Sequence, residues 1–287
     1  MTKTILGRFG GHPRHWVGDG FPVRTLFSHA EHGAQVSPFL LLDYAGPHVF
    51  EPSETRRGVG LHPHRGFETV TIVHEGAVEH RDSAGHGGLV GPGDVQWMTA
   101  GDGVLHEEFH SEGFARTGGP FRMVQLWINL PAAQKRMPPA YQALGREQIP
   151  SVAFEGAAAR VVAGDLGGVR GPARTVTPVN VWDVRLAAGA DVKLPAPEGH
   201  TTLLAVLSGH VTVDGAQDAR EAEVVLLGRE GRDVALHAGG ETRLLVLTGE
   251  PIDEPIVGQG PFVMNNEAEI REAVEDFRRG RFGAVSA

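Results

Sequence analysis

Cysteine is absent from all 287 residues. That excludes disulfide staples, thiolate metal sites and thiol nucleophiles, and leaves histidine and carboxylates as the strong ligands available. No apolar run approaches the roughly 18 residues a membrane-spanning helix requires, so no contact with a bilayer interior is expected. The segment Met1 to Phe9 has no apolar stretch followed by small residues, and the expected location is the cytoplasm. Lysine occurs only at positions 3, 135 and 193, no Lys/Arg cluster exists, and the net charge is −9. Phosphate neutralisation therefore has no source, and direct nucleic-acid binding is not expected. Helical periodicity is scarce as well.

What the sequence does have is punctuation. With 40 glycines and 19 prolines, it breaks into short β-branched segments, the pattern of a sandwich or barrel. The clearest strands are 69–73, 94–98, 122–128, 202–207, 223–227 and 242–247. One helix is expected over 266–279, where Ile270, Val274 and Phe277 fall at helical spacing after an Asn cap. A length of 287 residues exceeds one typical core, so two domains are expected. A weak repeat supports them: 68–76 overlays 201–209, each an apolar strand ending in a glycine turn. The Pro-, Ala- and Gly-rich stretch 130–178 reads as a connector. The boundary is placed near 140, giving an N-terminal barrel over 1–140 and a C-terminal barrel over 141–287 that includes the connector and the helix.

Two histidines at i and i+2 project from one face of a strand, so His62 and His64 can reach a common ion. The segment His106-Glu107-Glu108 repeats that geometry, with His106 and Glu108 on one face and Glu107 on the other. Brought together inside a barrel, the two pairs supply three imidazoles and one carboxylate. This donor set suits Fe, Mn, Co, Ni, Cu or Zn, whereas Ca and Mg want mostly oxygen. Four protein ligands on an ion preferring five or six leave positions open for a substrate oxygen or dioxygen.

The segments HPHRGFETV (62–70), PGDVQWMTAG (92–101) and GVLHEE (103–108) resemble the pirin family of bicupins. The resemblance extends from HWVGDGFPV (15–23) and SPFLLLDY (37–44) to GQGPFVM (258–264) and the helix beyond, nearly the whole chain. It implies an all-β fold of two tandem cupin barrels with a short C-terminal helix. It also implies one Fe(II) in the N-terminal barrel, on His62, His64, His106 and Glu108. Some members look like quercetin 2,3-dioxygenases that open a flavonol ring with O₂ and release carbon monoxide. Others resemble iron-dependent transcriptional co-regulators acting through protein partners. A zinc hydrolase fits less well, because a catalytic zinc usually keeps three protein ligands.

Glu68 competes with Glu108 as the carboxylate ligand, since generic cupins use an HxHxxxE spacing that His64 and Glu68 satisfy. If Glu108 ligates, Glu68 shares the parity of His62 and His64 and is placed to hydrogen-bond a ligand imidazole. Glu108 is also the expected proton acceptor in catalysis. Phe67 and Trp97 are candidates for an aromatic wall against a flat substrate, with core packing as the alternative reading. His110 shares the parity of His106 and either lines the cavity or is a satisfied histidine near a strand end. The histidines at 12, 15, 29, 32, 48, 74, 80 and 86 are read as mostly surface or loop residues without paired spacing. In the second half, the repeat places Pro195 and Pro197 where the first has His62 and His64, so that barrel is expected to hold no metal.

Overall fold

The computed structural model describes residues 1–285. It is built of two units, each pairing a seven-stranded sheet with a four-stranded one. In the first, the large sheet runs Ala140–Leu144, Val95–Thr99, Phe67–Glu75, Gly119–Asn129, Phe39–Phe50, Phe21–Ser28 and His15–Val17. Its small sheet runs Gly58–His64, Val104–His110, Val78–Asp82 and Gly87–Val90. In the second, Glu223–Leu227, Thr201–Ser208, Thr242–Gly249 and Val179–Leu186 form the centre of the large sheet. Asp191–Pro195, Asp233–Ala238, His210–Val213 and Gln217–Arg220 form the small one. All six expected strands are present, and the repeat is structural: Phe67–Glu75 and Thr201–Ser208 each end at a glycine with positive φ, Gly76 and Gly209.

A single cut near 140 does not describe the units. Met1–His12 and Leu26–Phe39 cluster with Glu147–Pro251, while the chain from Ile252 onward clusters with Pro13–Thr25 and Leu40–Arg146. The physical reason is strand pairing across long sequence distance. Ile5–Gly10 pairs with Glu223–Leu227 and forms the outer strand of the second unit's sheet. The C-terminal helix Glu267–Arg278 packs its buried Ile270 and Ala273 with Phe262, Met264 and Phe282, and Leu105 joins the same cluster. The Asn266 side chain caps the helix by accepting from the Glu269 N–H at 3.0 Å. Phe277, expected on the buried stripe, is 39% exposed. Buried Asp276 takes that side of the helix and meets the Arg65 guanidinium at 2.9 Å.

The two interiors differ in chemistry. The second unit fills its barrel with aliphatic side chains, among them Val192 and Leu194 on one small-sheet strand and Val234 and Leu236 on its neighbour. At the corresponding small-sheet strands of the first unit stand histidines and carboxylates.

Candidate metal centre

Three strands of the small sheet build the site. Val104–His110 is central, with Gly58–His64 on one side and Val78–Asp82 on the other. Cross-strand register sets His62 opposite His106, and His106 opposite Asp82. His80 stands opposite Glu108. The pairing with Gly58–His64 slips between His106 and Glu108, a bulge of the kind that re-aims side chains beside functional sites.

The rings of His62 and His106 have centroids 4.2 Å apart, those of His64 and His106 4.8 Å, and those of His62 and His64 4.9 Å. One nitrogen from each of the three lies within 4.8 Å of the others. A second such group shares His106 and consists of His80, His106 and Glu108. These are the two groups of this kind among the described residues. Thus the three expected imidazoles converge, while Glu108, expected beside them, falls in the second group with His80 and His106 and not in the first.

Burial and hydrogen bonding prepare the nitrogens as donors. His64 is driven down to about 3, first by burial and then by the neighbouring His62, and His106 lies well below the ordinary imidazole value for the same leading reason. Both rings are therefore neutral at physiological pH, the form that ligates a metal. His62 Nδ1 lies 2.9 Å from the Gly60 carbonyl and His64 Nδ1 3.4 Å from the Pro261 carbonyl. A carbonyl only accepts, so each Nδ1 carries the proton and each Nε2 keeps its lone pair. His106 Nε2 is buried without a hydrogen-bond partner. Such an orphan is costly unless it has a partner, and the donor chemistry of this nitrogen fits a divalent ion.

Glu108 rests in a polar cradle made by the large sheet. Gln96, Thr71 and Gln125 stand directly opposite one another on three adjacent strands, so all three face the same way. Gln96 Nε2 donates to Glu108 Oε1 at 3.0 Å and Gln125 Nε2 to Oε2 at 3.2 Å. The Thr71 hydroxyl sits 2.6 Å from Gln125 Oε1 and 3.3 Å from Glu108 Oε1, so its single proton goes mainly to the amide. Tyr141, from the connector, donates its hydroxyl to Gln96 Oε1 at 3.2 Å. Its phenol is pushed up to about 12 by burial, reinforced by the charges of Glu108 and Asp82, and stays protonated.

Glu68 departs from expectation. The parity linking it to His62 and His64 is reset at Gly66, whose φ of +91° turns the chain into a new strand. Thr71 faces Glu108, so Glu68, three residues away, lies on the opposite face of its strand. There its Oε1 accepts from Thr99 Oγ1 at 2.7 Å, and burial raises its pKa. Trp97 likewise alternates with Gln96 and faces away from the histidines, buried in line with Val70. The aromatic pair beside the site is Phe67, fully buried in a core cluster with Leu40 and Val263 as its core reading expected, and the half-buried Trp127 packed against it. Their centroids are 4.3 Å apart, and they lie 5.1 and 5.3 Å from the His64 ring. His110 does not line the cavity. Its Nε2 donates to the Gly20 carbonyl at 2.9 Å, inside a cage of Phe21, Phe50, Phe114 and Phe121.

His80 is the residue that sequence reasoning missed. It is 1% exposed, and with Asp82 it forms a third i, i+2 pair, the same spacing as the ligand pairs. That spacing was the available signal. Gln96 and Gln125 left no comparable trace, because an amide on a strand is ordinary until its neighbours are known.

Fold and site together define a bicupin with one histidine-rich barrel and one aliphatic barrel. The family model described as Pirin matches residues 20–128, and that described as the Pirin C-terminal cupin domain matches 181–283. The chain belongs to the pirin family. A Pseudomonas aeruginosa protein provisionally named a quercetin 2,3-dioxygenase is 57% identical over 282 residues, 98% of each chain. Human pirin is 38% identical over 288 residues, 99% of this chain and 93% of the relative. The crystal structure of a quercetin 2,3-dioxygenase from Acinetobacter baumannii matches with a TM-score of 0.97 at 53% identity, covering 100% of both chains.

Proposed function

We propose that this protein is a metal-dependent dioxygenase that opens the ring of a flavonol such as quercetin, using an ion held by His62, His64, His106 and Glu108. The observation that carries the reading is the convergence of three imidazoles, each with a ligand nitrogen within 4.8 Å of the others, with the buried Nε2 of His106 otherwise unsatisfied. Fe(II) is the ion favoured by the family resemblance. Bound there, a divalent transition metal supplies Lewis acidity toward a substrate hydroxyl and, as iron, a one-electron partner for dioxygen.

The chain's own residues do the rest. The half-buried Trp127, backed by the buried Phe67 ring, offers an apolar edge beside His64 for an aromatic substrate. Glu108 accepts the proton of the substrate hydroxyl at a carboxylate oxygen. Gln96 and Gln125 hold that carboxylate in place as it does so.

The test is elemental analysis of protein purified without added metal, then anaerobic iron loading and an oxygen-uptake assay with quercetin, with carbon monoxide as the diagnostic product. Metal-dependent uptake with carbon monoxide release is expected. A fully loaded protein that consumes no oxygen would instead favour an iron-dependent regulatory protein working through a protein partner.

A further inference from the structure

We propose that His80 and Asp82 are positioning residues that set the tautomer of His106, so that an Nε2 lone pair rather than an N–H faces the centre. This rests on the reading that His62, His64 and His106 hold an ion.

The argument starts at Asp82, 3% exposed and fixed by its own loop. Its Oδ1 accepts from the backbone N–H groups of Ala84 at 2.9 Å and His86 at 3.0 Å. Its Oδ2 lies 3.3 Å from His80 Nε2 and 3.3 Å from His86 Nδ1. A carboxylate only accepts, so His80 Nε2 carries its ring's proton. His80 Nδ1 sits 3.3 Å from His106 Nδ1, so one proton lies between the two rings. An ion held together with His62 and His64 would take the lone pair of the buried, unpartnered His106 Nε2, which puts the His106 proton on Nδ1 and leaves His80 Nδ1 to accept it.

His106 differs from its two companions in this respect. His62 and His64 are set by backbone carbonyls that no substitution removes, whereas His106 depends on a relay of side chains. Tyr141 holds the relay's geometry, its ring stacked on His80 at 5.0 Å and 13°. Outer partners of this kind fix ring orientation and ligand basicity, and their loss typically costs about 10- to 100-fold in metal affinity.

The experiment has two arms. Long-range ¹H–¹⁵N correlation spectra of the metal-free protein are expected to show the proton of His106 on Nδ1 and that of His80 on Nε2. A proton on His106 Nε2 overturns the proposal whatever any variant does. In the second arm, Co(II) binding is measured by chelator competition and by visible absorption. His80→Leu, which neither donates nor accepts, should bind about 10- to 100-fold more weakly with an altered spectrum. His80→Gln should bind close to wild type, because its amide oxygen accepts from His106 while its amide nitrogen donates to Asp82. Unchanged affinity in His80→Leu, or equal losses in both variants, overturns the proposal. A wild-type protein that binds no Co(II) sinks the centre and this inference with it, whereas wild-type binding with an indifferent His80→Leu sinks the inference alone.

Discussion

At the scale of single residues, the site contrasts imidazoles preorganised by burial with a carboxylate kept in a polar cradle, and each makes a prediction. Glu108→Gln keeps the three imidazoles but sets a new NH₂ among the amide donors of Gln96 and Gln125. One amide must flip or lose its partner, at about 1 kcal/mol. The variant should retain some iron by elemental analysis, lose turnover in the oxygen-uptake assay and melt slightly earlier. Full activity would remove Glu108 as the proton acceptor. His64 gives the pH dependence. Its folded-state value of about 3 lies below the ordinary 6.5, so between these values the unfolded chain binds a proton that the native chain refuses. Stability from this group is present above pH 6.5 and is lost as the pH falls toward 3, at about 1.4 kcal/mol per unit. His106 shifts the same way and adds to the slope. Urea midpoints of the metal-free protein should fall steeply over this window, and His64→Phe should flatten the fall. An unchanged slope in that variant would place the acid sensitivity elsewhere.

At the scale of elements, the C-terminal helix bears on the site through one buried ion pair. Arg65 directly follows the ligand His64, and its guanidinium is held by Asp276 at 2.9 Å and by the Asp102 carbonyl at 2.6 Å, with the Phe282 ring 4.7 Å from its centre. Removing one partner of a buried pair strands the other charge, at about 3–5 kcal/mol. Arg65 keeps the Asp102 carboxylate at 3.4 Å, so Asp276→Ala should lower the unfolding free energy from denaturant titration by about 3 kcal/mol, the low end of that range, and weaken metal binding through the displaced His64. Asp276→Asn, which keeps a hydrogen bond, should do less. Equal stability in the alanine variant would mean that the helix is not anchored there. The helix itself was legible from the Asn266 cap and the apolar spacing, but its buried face was not. The sequence shows Phe277 as apolar and cannot show that Arg65, 211 residues away, claims the neighbouring position. The same limit explains Glu68 and Trp97. Parity along one strand is readable, but parity carried through the Gly66 turn, or choosing which face of a doubly buried strand is the cavity, requires the partner strands.

At the scale of the whole chain, the repeat and the two barrels were visible because each half repeats the same strand and glycine punctuation. The exchange of terminal segments was not, since the pairing of Ile5–Gly10 with Glu223–Leu227 leaves no local signature. The asymmetry between barrels has a measurable consequence. In the second barrel the small-sheet interior carries Val192, Leu194, Val234 and Leu236, with no atom able to ligate, so one ion per chain is expected. An ion that binds only the folded state at 100 times its dissociation constant adds about 2.7 kcal/mol of stability. That gain belongs to the opening reactions that break the site. Hydrogen exchange should therefore slow on metal addition in Gly58–His64, Val78–Asp82 and Val104–His110, while Asp191–Pro195 and Asp233–Ala238 exchange as before. In the double variant His62→Ala/His64→Ala the protection should vanish. Equal protection of both small sheets in the wild-type protein would mean that the ion stabilises the chain as one cooperative block, and two ions per chain would refute the asymmetry itself.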